Sequence, residues 1–252
     1  MKSLFNPETN SLITTKETQE VVEVECVVGG HRVLLVDTPG FDDTNMDDCT
    51  ILERIAEWLR LSYREGMRLS GLIYMHDIQE ARVGRASVKN MILFRRLTGK
   101  DSMENVVLLT TKWDALGQDT RLGVEREEQL HNEGGFWKEM LADGAKTTRH
   151  YGTIESAKAV VLSILDLKPT VLLIQNQMAG GTAIIDTDAG QYVNEQVVKL
   201  QEKHREDMAA LRTEMERAEE KSKTTPRPNL AHPVARRWFV IFLFAMLGPW
   251  LT

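Results

Sequence analysis

The stretch RVLLVDTPGFDD, residues 32–43, joins a run of leucine and β-branched residues to a turn-forming tetrapeptide. Arg32 to Val36 predicts a buried strand, and Asp37-Thr38-Pro39-Gly40 predicts the tight turn that ends it. Upstream, residues 21–28 alternate partly at period two and lead into Gly29-Gly30, a pattern that predicts a β-hairpin. The second strand of this hairpin therefore ends in a DxxG turn.

Downstream of the hairpin, predicted strands and helices alternate as far as residue 167. Helices are expected over Asp48 to Arg64, Val88 to Leu97, Val124 to Leu141 and Glu155 to Leu167. Strands are expected over Gly71 to Met75, Asn105 to Thr110 and, as a weaker signal, Lys146 to Tyr151. Because strand and helix alternate, the sequence predicts an α/β domain over residues 1–168, with a mostly parallel sheet covered by helices.

The sequence changes character beyond this domain. Residues 169–192 are interpreted as a connector of uncertain structure, because Gly180-Gly181 interrupts their apolar run. Residues 193–223 are predicted to form a long charged helix that could pair as a short coiled coil, since apolar or neutral residues recur with mainly four-three spacing. These residues are Val193, Val197, Leu200, His204, Met208, Leu211, Met215 and Ala218. Residues 224–252 are a proline-containing linker and an apolar tail.

The composition excludes several broad classes of protein. The 252 residues are 42% hydrophobic and 27% charged, which is typical of a folded domain and not of a disordered or fibrous chain. The net charge of −6 argues against nucleic-acid binding, since phosphate contacts need clustered Lys and Arg. Cys26 and Cys49 form no CxxC pair, and no secretory signal pattern is seen, so we expect an intracellular, cytoplasmic protein.

The tail, residues 238–251, is an uncharged apolar run preceded by Arg236-Arg237. It is long enough for about 21 Å of helix, short of the roughly 20 residues that span a bilayer. With Trp238 and Trp250 at its borders it is interpreted as a short tail anchor or interfacial helix, which would hold the protein at a membrane surface. A segment docked on the domain, or a frame-shifted or mis-spliced end, is the alternative.

Two motifs follow predicted strands. Asp37 to Gly40 has the DxxG pattern that GTP-binding proteins direct at the γ-phosphate and Mg²⁺, although the same residues also make an ordinary turn. Thr111-Lys112-Trp113-Asp114 follows the strand Asn105 to Thr110 and resembles the NKxD base-recognition motif. Ligands bind at the carboxyl ends of strands in parallel sheets. The order and placement of the two motifs therefore favour a nucleotide site.

The second motif has a chemical rationale. Asp114 can accept the N1 proton and the 2-amino protons of guanine, a pair of donors that adenine lacks. The Lys112 stem would pack over the base. Thr111 replaces the usual Asn and keeps a hydroxyl but loses the amide, so guanine selectivity is expected but could be weakened. The alternative interpretation is a solvated pair of charged residues on a loop.

Two weaker positions fit the same scheme. Thr15 lies ahead of the hairpin, where a switch threonine would close over Mg²⁺ and the γ-phosphate, but it is equally consistent with a polar loop residue. Gly152, in Tyr151-Gly152-Thr153, follows the weak last strand, where a base-contacting loop would lie. Ser156 beyond it could serve only as a helix cap.

Five spaced segments carry a family resemblance. VLLVDTPGFDDT, GLIYMHDIQEARVG, LFRRLTG, LLTTKWD and ESAKAVV, in this order, resemble the fungal G-domain proteins related to the immunity-associated, AIG-type GTPases of the translation-factor-like class. The resemblance covers roughly residues 11–220 and is specific because several motifs are spaced correctly. It implies a P-loop GTPase-like fold, GTP or GDP as the ligand and Mg²⁺ as a cofactor. It also implies self-association through the G domain or the helix.

The resemblance assigns a role to each candidate residue. Thr15 would be the switch threonine and, with Asp37, a Mg²⁺ ligand, in the case of Asp37 indirectly or through water. Gly40 would donate its amide to the γ-phosphate, and Lys112 and Asp114 would read guanine. Residues 75–82 also match the family, but the sequence suggests no physical role for them.

The resemblance further predicts a phosphate-binding loop, GxxxxGK[ST], which the 252 residues do not contain. In the family's sheet order the strand before that loop lies between the DxxG strand and the strand in GLIYM. These two strands are therefore expected either to pair directly or to leave the sheet open. Without the amides, Lys and hydroxyl of the loop, we expect weak or absent GTP binding and negligible hydrolysis. Phe41 after the DxxG turn strengthens the second expectation, because a Gln there could orient water.

The same sequence is also compatible with a function of a different class. The chain could be a non-catalytic interaction or scaffold module built on a remnant of the G domain. The charged helix would then serve assembly, and the apolar tail would attach the module to a membrane.

Overall fold

A computed structural model describes residues 20–41, 46–80, 84–117, 119–132 and 137–224. The strands are β1 (Val22–Val28), β2 (His31–Asp37), β3 (Leu72–Asp77), β4 (Val106–Thr111) and β5 (Lys146–Arg149). The α-helices are α1 (Asp48–Arg64), α2 (Arg85–Thr98), α3 (Arg121–Asn132), α4 (Lys138–Ala142), α5 (Ile154–Leu165), α6 (Leu173–Ala179) and α7 (Asp188–Thr224). Short 3₁₀ turns cover Lys100–Asn105, Trp113–Leu116 and Ile184–Asp186.

The predicted hairpin is confirmed. β1 and β2 pair antiparallel from Val22 opposite Asp37 to Val28 opposite His31. Gly29 and Gly30 connect them with φ angles of 58° and 85°, and glycine adopts such positive φ values without strain.

The predicted parallel sheet is also confirmed. β4 lies between β3 and β5 and pairs parallel with both. Its apolar residues, Val106 to Leu109, are at most 2% exposed, whereas those of β3 are half-buried. With helices between successive strands and a long charged helix at the end, the chain has the α/β fold class expected from its sequence.

The described strands form two separate sheets. β2 pairs with β1, and β3 pairs with β4, but no ladder joins β2 to β3. Of the two arrangements expected for the DxxG strand and the GLIYM strand, the open one is therefore found. The half-buried apolar residues of β3 agree with its position at the edge of its sheet.

α1 follows from its capping and its apolar stripe. The Asp47 side chain accepts a hydrogen bond from the Thr50 amide at 3.0 Å and so caps the first turn. This hydrogen bond lowers the pKa of Asp47. The apolar side of α1 enters the largest core cluster with residues from α2, α6 and the start of α7. The buried members are Ile51, Leu52, Ile55, Ala56, Leu59, Leu93, Leu97, Leu172, Ile174, Ala189, Tyr192 and Val193.

One predicted helix is wrong. The apolar pattern predicts a single helix over Val124 to Leu141, but the structure has α3 and α4 as separate helices. The Trp137 amide donates to the Leu130 carbonyl at 3.0 Å, a connection that a continuous helix does not make. The sequence signal for this break is Gly134-Gly135, two residues of low helix propensity.

The predicted connector contains regular structure. It holds α6, a 3₁₀ turn and the first residues of α7, which begins at Asp188 and not at Val193. The structure comprises two compact units, one ending at Gln201 and one beginning at Glu202. The predicted domain boundary at residue 168 stays a prediction. The apolar tail lies outside the described residues.

Candidate nucleotide-base site

The loop after β4 begins with an unusual backbone conformation. Lys112 has φ 62° and ψ 30°, which is left-handed, and it is the only described residue other than glycine with a positive φ. This conformation is costly for a residue with a Cβ and persists only where surrounding contacts hold it. The 3₁₀ turn Trp113–Leu116 follows directly and presents Asp114 to solvent.

Contacts beneath the loop hold it in place. Trp113 is 2% exposed, and its Nε1 donates to Thr110 Oγ1 at 2.8 Å. Thr110 Oγ1 donates in turn to Glu127 Oε1 at 3.1 Å. The single Nε hydrogen of Arg149 is shared between the two Glu127 oxygens, at 3.1 and 3.0 Å, and Arg149 Nη2 donates to Glu127 Oε2 at 2.5 Å. The Arg149 guanidinium lies 4.1 Å from the centre of the Trp113 ring, so α3 and β5 both support the loop.

Asp114 and Gly152 lie together, although 38 residues of sequence separate them. Gly152 has φ 74°, and a Cβ added there would lie 3.3 Å from the carboxylate of Asp114. The backbone after β5 therefore approaches Asp114 so closely that a side chain would crowd it. The Asp114 side chain is exposed, so a ligand with N–H donors could reach its carboxylate.

The loop after β5 is held by hydrogen bonds to the start of α5. Thr153 is the N-cap of α5, because its Oγ1 accepts from the Ser156 amide at 3.2 Å. Ser156, considered as a cap from its sequence, instead lies 2.8 Å from Nδ1 of the buried His150 through its Oγ. Burial lowers the pKa of His150, and the nearby Asp114 charge opposes this shift.

The end of β3 contributes residues that the sequence did not identify. Lys112 Nζ forms an ion pair with Asp77 Oδ2, and Thr111 Oγ1 donates to the His76 carbonyl at 3.2 Å. The hydroxyl of Thr111 thus ties β4 to β3. Asp77 lies in residues 75–82, the family-like segment for which the sequence suggested no physical role. The sequence signal that could have identified Asp77 is the polar pair His76-Asp77 at the end of β3, the strand that neighbours β4.

The DxxG residues lie on the other sheet. Asp37 is half-buried at the end of β2, and a Cβ added to Gly40 would meet nothing within 4 Å. The Phe41 carbonyl accepts from Asn90 Nδ2 at 2.9 Å, which connects this loop to α2. The structure therefore brings Thr111, Lys112, Asp114 and Gly152 together, and places Asp37 and Gly40 at the end of a strand in a separate sheet. Thr15 lies outside the described residues.

Two features of the described residues bear on the metal and membrane expectations. No group of three or more His, Cys, Asp or Glu side chains is arranged to hold a metal ion within the ranges given above. Among the helices that the structure describes, none is both long and apolar enough to cross a membrane.

Comparisons with known proteins give weak similarities. No protein-family model matches the chain, and no curated protein matches its sequence. Two crystal structures of Toc33 from Arabidopsis thaliana, one a dimerization-deficient mutant and one a complex with Mg²⁺ and GMPPNP, align with TM-scores of 0.47. Each is 16% identical and covers 61% of this chain and 72% of its own.

A third solved structure comes from work on the GTPase activity of the chloroplast translocon components atToc33 and psToc159. It aligns with a TM-score of 0.48 and 16% identity, covering 60% of this chain and 68% of that one.

Proposed function

We propose that this chain is a G domain of the P-loop GTPase superfamily that recognises a guanine base through Asp114 and Lys112. The supporting observation is the close approach of the Gly152 backbone to the exposed Asp114 carboxylate, next to a left-handed Lys112. Two loops separated in sequence meet there at the carboxyl edge of neighbouring parallel strands, which is where such sheets bind ligands.

The side chains at the carboxyl edge of β4 and β5 suit a guanine base. The two Asp114 oxygens can accept the N1 and 2-amino protons together, and adenine presents no such pair. The methylene stem of Lys112 offers an apolar surface for one face of the base. Glycine at position 152 lets the backbone pass close to Asp114 without a side chain that would crowd the carboxylate, and Asp114 itself is exposed.

Affinity is proposed to be low. Asp37 and Gly40 would supply a carboxylate for Mg²⁺ and an amide for the γ-phosphate, and the open space at Gly40 is compatible with an approaching oxygen. The 252 residues contain no GxxxxGK[ST] loop, whose charge-assisted hydrogen bonds contribute about 1.5 to 3 kcal/mol each. We therefore propose weak binding of GTP or GDP with Mg²⁺, and negligible hydrolysis.

Calorimetry of the full chain with guanosine, GDP and GTP tests this function. Binding should be weak, should differ little between guanosine and GTP, and should disappear in Asp114→Ala. Asp114→Asn should prefer xanthine nucleotides, because the Asn amide can donate to the 2-carbonyl of xanthine where Asp can only accept.

The matched control is Asp101→Asn, an exposed carboxylate ahead of β4 and so at the opposite edge of the sheet. It should bind guanine nucleotides as the wild type does. The proposal fails if no binding is seen at millimolar ligand, or if binding persists unchanged in Asp114→Ala.

The alternative function, an interaction module, is favoured by the exposed second part of α7. Every described side chain from Val198 to Ala218 is exposed. Within the second unit, apolar or neutral residues recur with four-three spacing at His204, Met208, Leu211, Met215 and Ala218. We propose that this stripe mediates self-association, with the G domain and the apolar tail as further attachment points to a second copy and to an intracellular membrane surface.

One pair of opposite charges beside the stripe is compatible with a parallel pair. In the heptad that places Met208 at position a, Asp207 occupies position g and Arg212 position e, so each Asp207 would face Arg212 of the second copy. Sedimentation of the full chain should show a dimer that Leu211→Glu converts to a monomer. Ala210→Glu, outside the stripe, is the control. A wild-type monomer at all concentrations would exclude self-association through α7.

A further inference from the structure

The turn after β3 is clamped by α3. Arg126 Nη1 donates to the Ile78 and Gln79 carbonyls, at 2.9 Å each, and Asp77 Oδ1 accepts from the Gln79 amide at 2.9 Å. The Ile78 side chain is completely buried. These contacts fix the direction of the Asp77 carboxylate at the carboxyl end of its strand.

Asp77 uses its two oxygens for different purposes. Oδ1 closes its own turn, and Oδ2 pairs with Lys112 Nζ. β3 and β4 are parallel and place Asp77 beside Thr111, so the carboxylate reaches the residue that follows Thr111. The Asp77 side chain is 24% exposed and that of Lys112 40% exposed, so the pair lies at the rim of the site and remains accessible.

We propose that Asp77 is a positioning residue of the base site and acts through Lys112. This inference rests on the proposed function and adds to it a residue that would not touch the base. By holding the ammonium group at one end, Asp77 restricts the conformations open to the stem of Lys112, whose methylenes are proposed to pack on the base. A lysine side chain otherwise loses considerable rotamer freedom when a ligand binds against it.

The left-handed backbone at Lys112 supports this assignment. Glycine would occupy that conformation without strain, so the presence of a long charged side chain requires contacts that hold it. The ion pair to Asp77 supplies one such contact, and the buried Trp113 that follows supplies another. The turn after β3 thereby extends the base site to a third strand.

The test compares Asp77→Asn with wild type in the full chain. Asn keeps an oxygen that accepts from the Gln79 amide but removes the negative charge that pairs with Lys112. The dissociation constant for guanosine and GDP should rise about three- to fivefold, the range expected for a partly exposed ion pair. The preference for guanosine over inosine should not change, because Asp114 still reads the 2-amino group.

A double-mutant cycle with Lys112→Met separates positioning from a general structural role. If Asp77 acts through Lys112, adding Asp77→Asn to Lys112→Met should cause no further loss of affinity. Asp143→Asn is the matched control. It removes a carboxylate paired with Arg95 at 2.8 Å, ahead of β5 at the opposite edge of the sheet, and should leave the dissociation constant unchanged.

The outcomes distinguish the two proposals. If wild type binds guanosine and GDP but Asp77→Asn binds them equally well, or if the two substitutions are additive, Asp77 is not a positioning residue and the proposed function stands. If wild type binds neither ligand, the proposed function is wrong, and the assignment of Asp77 to a base site is wrong with it.

Discussion

The carboxyl ends of β4 and β2 carry the two nucleotide-binding motifs, but their surroundings differ. β4 is the central strand of a parallel sheet, and its apolar residues are almost completely buried. β2 belongs to a two-stranded hairpin, and each of its residues is exposed or half-buried. One motif therefore follows a fully packed strand, and the other follows a strand at an edge.

The residues of a motif therefore supply its chemistry, and the packing around the motif determines how firmly it is held. The loop after β4 is supported by Trp113, Glu127 and Arg149. Thr110 links Trp113 to Glu127 through hydrogen bonds, Arg149 donates to Glu127, and the Arg149 guanidinium lies over the Trp113 ring. In the loop after β2, the Phe41 side chain packs against the core formed by α1, α2, α6 and the start of α7, and the Phe41 carbonyl accepts from Asn90. We expect the loop after β4 to retain its geometry without a ligand. The loop after β2 is expected to depend more on contacts from outside its hairpin.

The largest expected difference between the two regions is in core packing. Leu108→Ala in β4 should lower the free energy of unfolding by about 3 kcal/mol, because Leu108 is completely buried. Leu34→Ala in β2 should lower it by less than about 1 kcal/mol, because Leu34 is 38% exposed. Urea denaturation of both variants measures this. Equal losses would show that the hairpin contributes to stability as much as the parallel sheet does.

A smaller difference is expected between the two glycines of the predicted site. Gly152→Ala should destabilise the protein by about 1 to 2 kcal/mol, since alanine is strained at a positive φ and its Cβ would crowd Asp114. Gly40→Ala should cost less than about 0.5 kcal/mol, since its φ is not left-handed and its surroundings are open. Thermal unfolding of the pair is the measurement. A larger loss for Gly40→Ala would contradict the open geometry of the loop after β2.

The smallest expected effect is on the pH dependence of stability. Burial lowers the pKa of His150 and of His76, so both are neutral in the folded state where the unfolded chain would bind protons. Their contribution is fully present above about pH 6.5, the unfolded value, and is lost as the pH falls from there toward the folded pKa. Stability should therefore fall on acidification through this window.

Replacement of single histidines checks the pH effect. His150→Gln should make the slope of unfolding free energy against pH shallower, with His76 supplying the remainder. His31→Gln, at the exposed start of β2, should leave the slope as it is in wild type. If His31→Gln changes the slope as much as His150→Gln does, the pH dependence does not come from the parallel sheet.

Local patterns predicted most of the elements because each depends on near neighbours in sequence. The hairpin follows from Gly29-Gly30, and α1 follows from its cap and from apolar residues on one side. The error at α3 and α4 arose because the apolar period across residues 124–141 was given more weight than the low helix propensity of Gly134-Gly135. The hydroxyl of Thr111, which stands where the motif usually has an Asn amide, donates to the His76 carbonyl of β3.

What the sequence alone determined is the α/β class, the order of the elements and the two candidate loops, because apolar periodicity and turn residues act over a few positions. Only the tertiary structure decided that Gly152 meets Asp114, that Asp77 pairs with Lys112, and that β2 and β3 remain in separate sheets. Such contacts join residues far apart in the chain. They depend on which strands pair and on the direction in which each loop leaves its strand, and local sequence encodes neither.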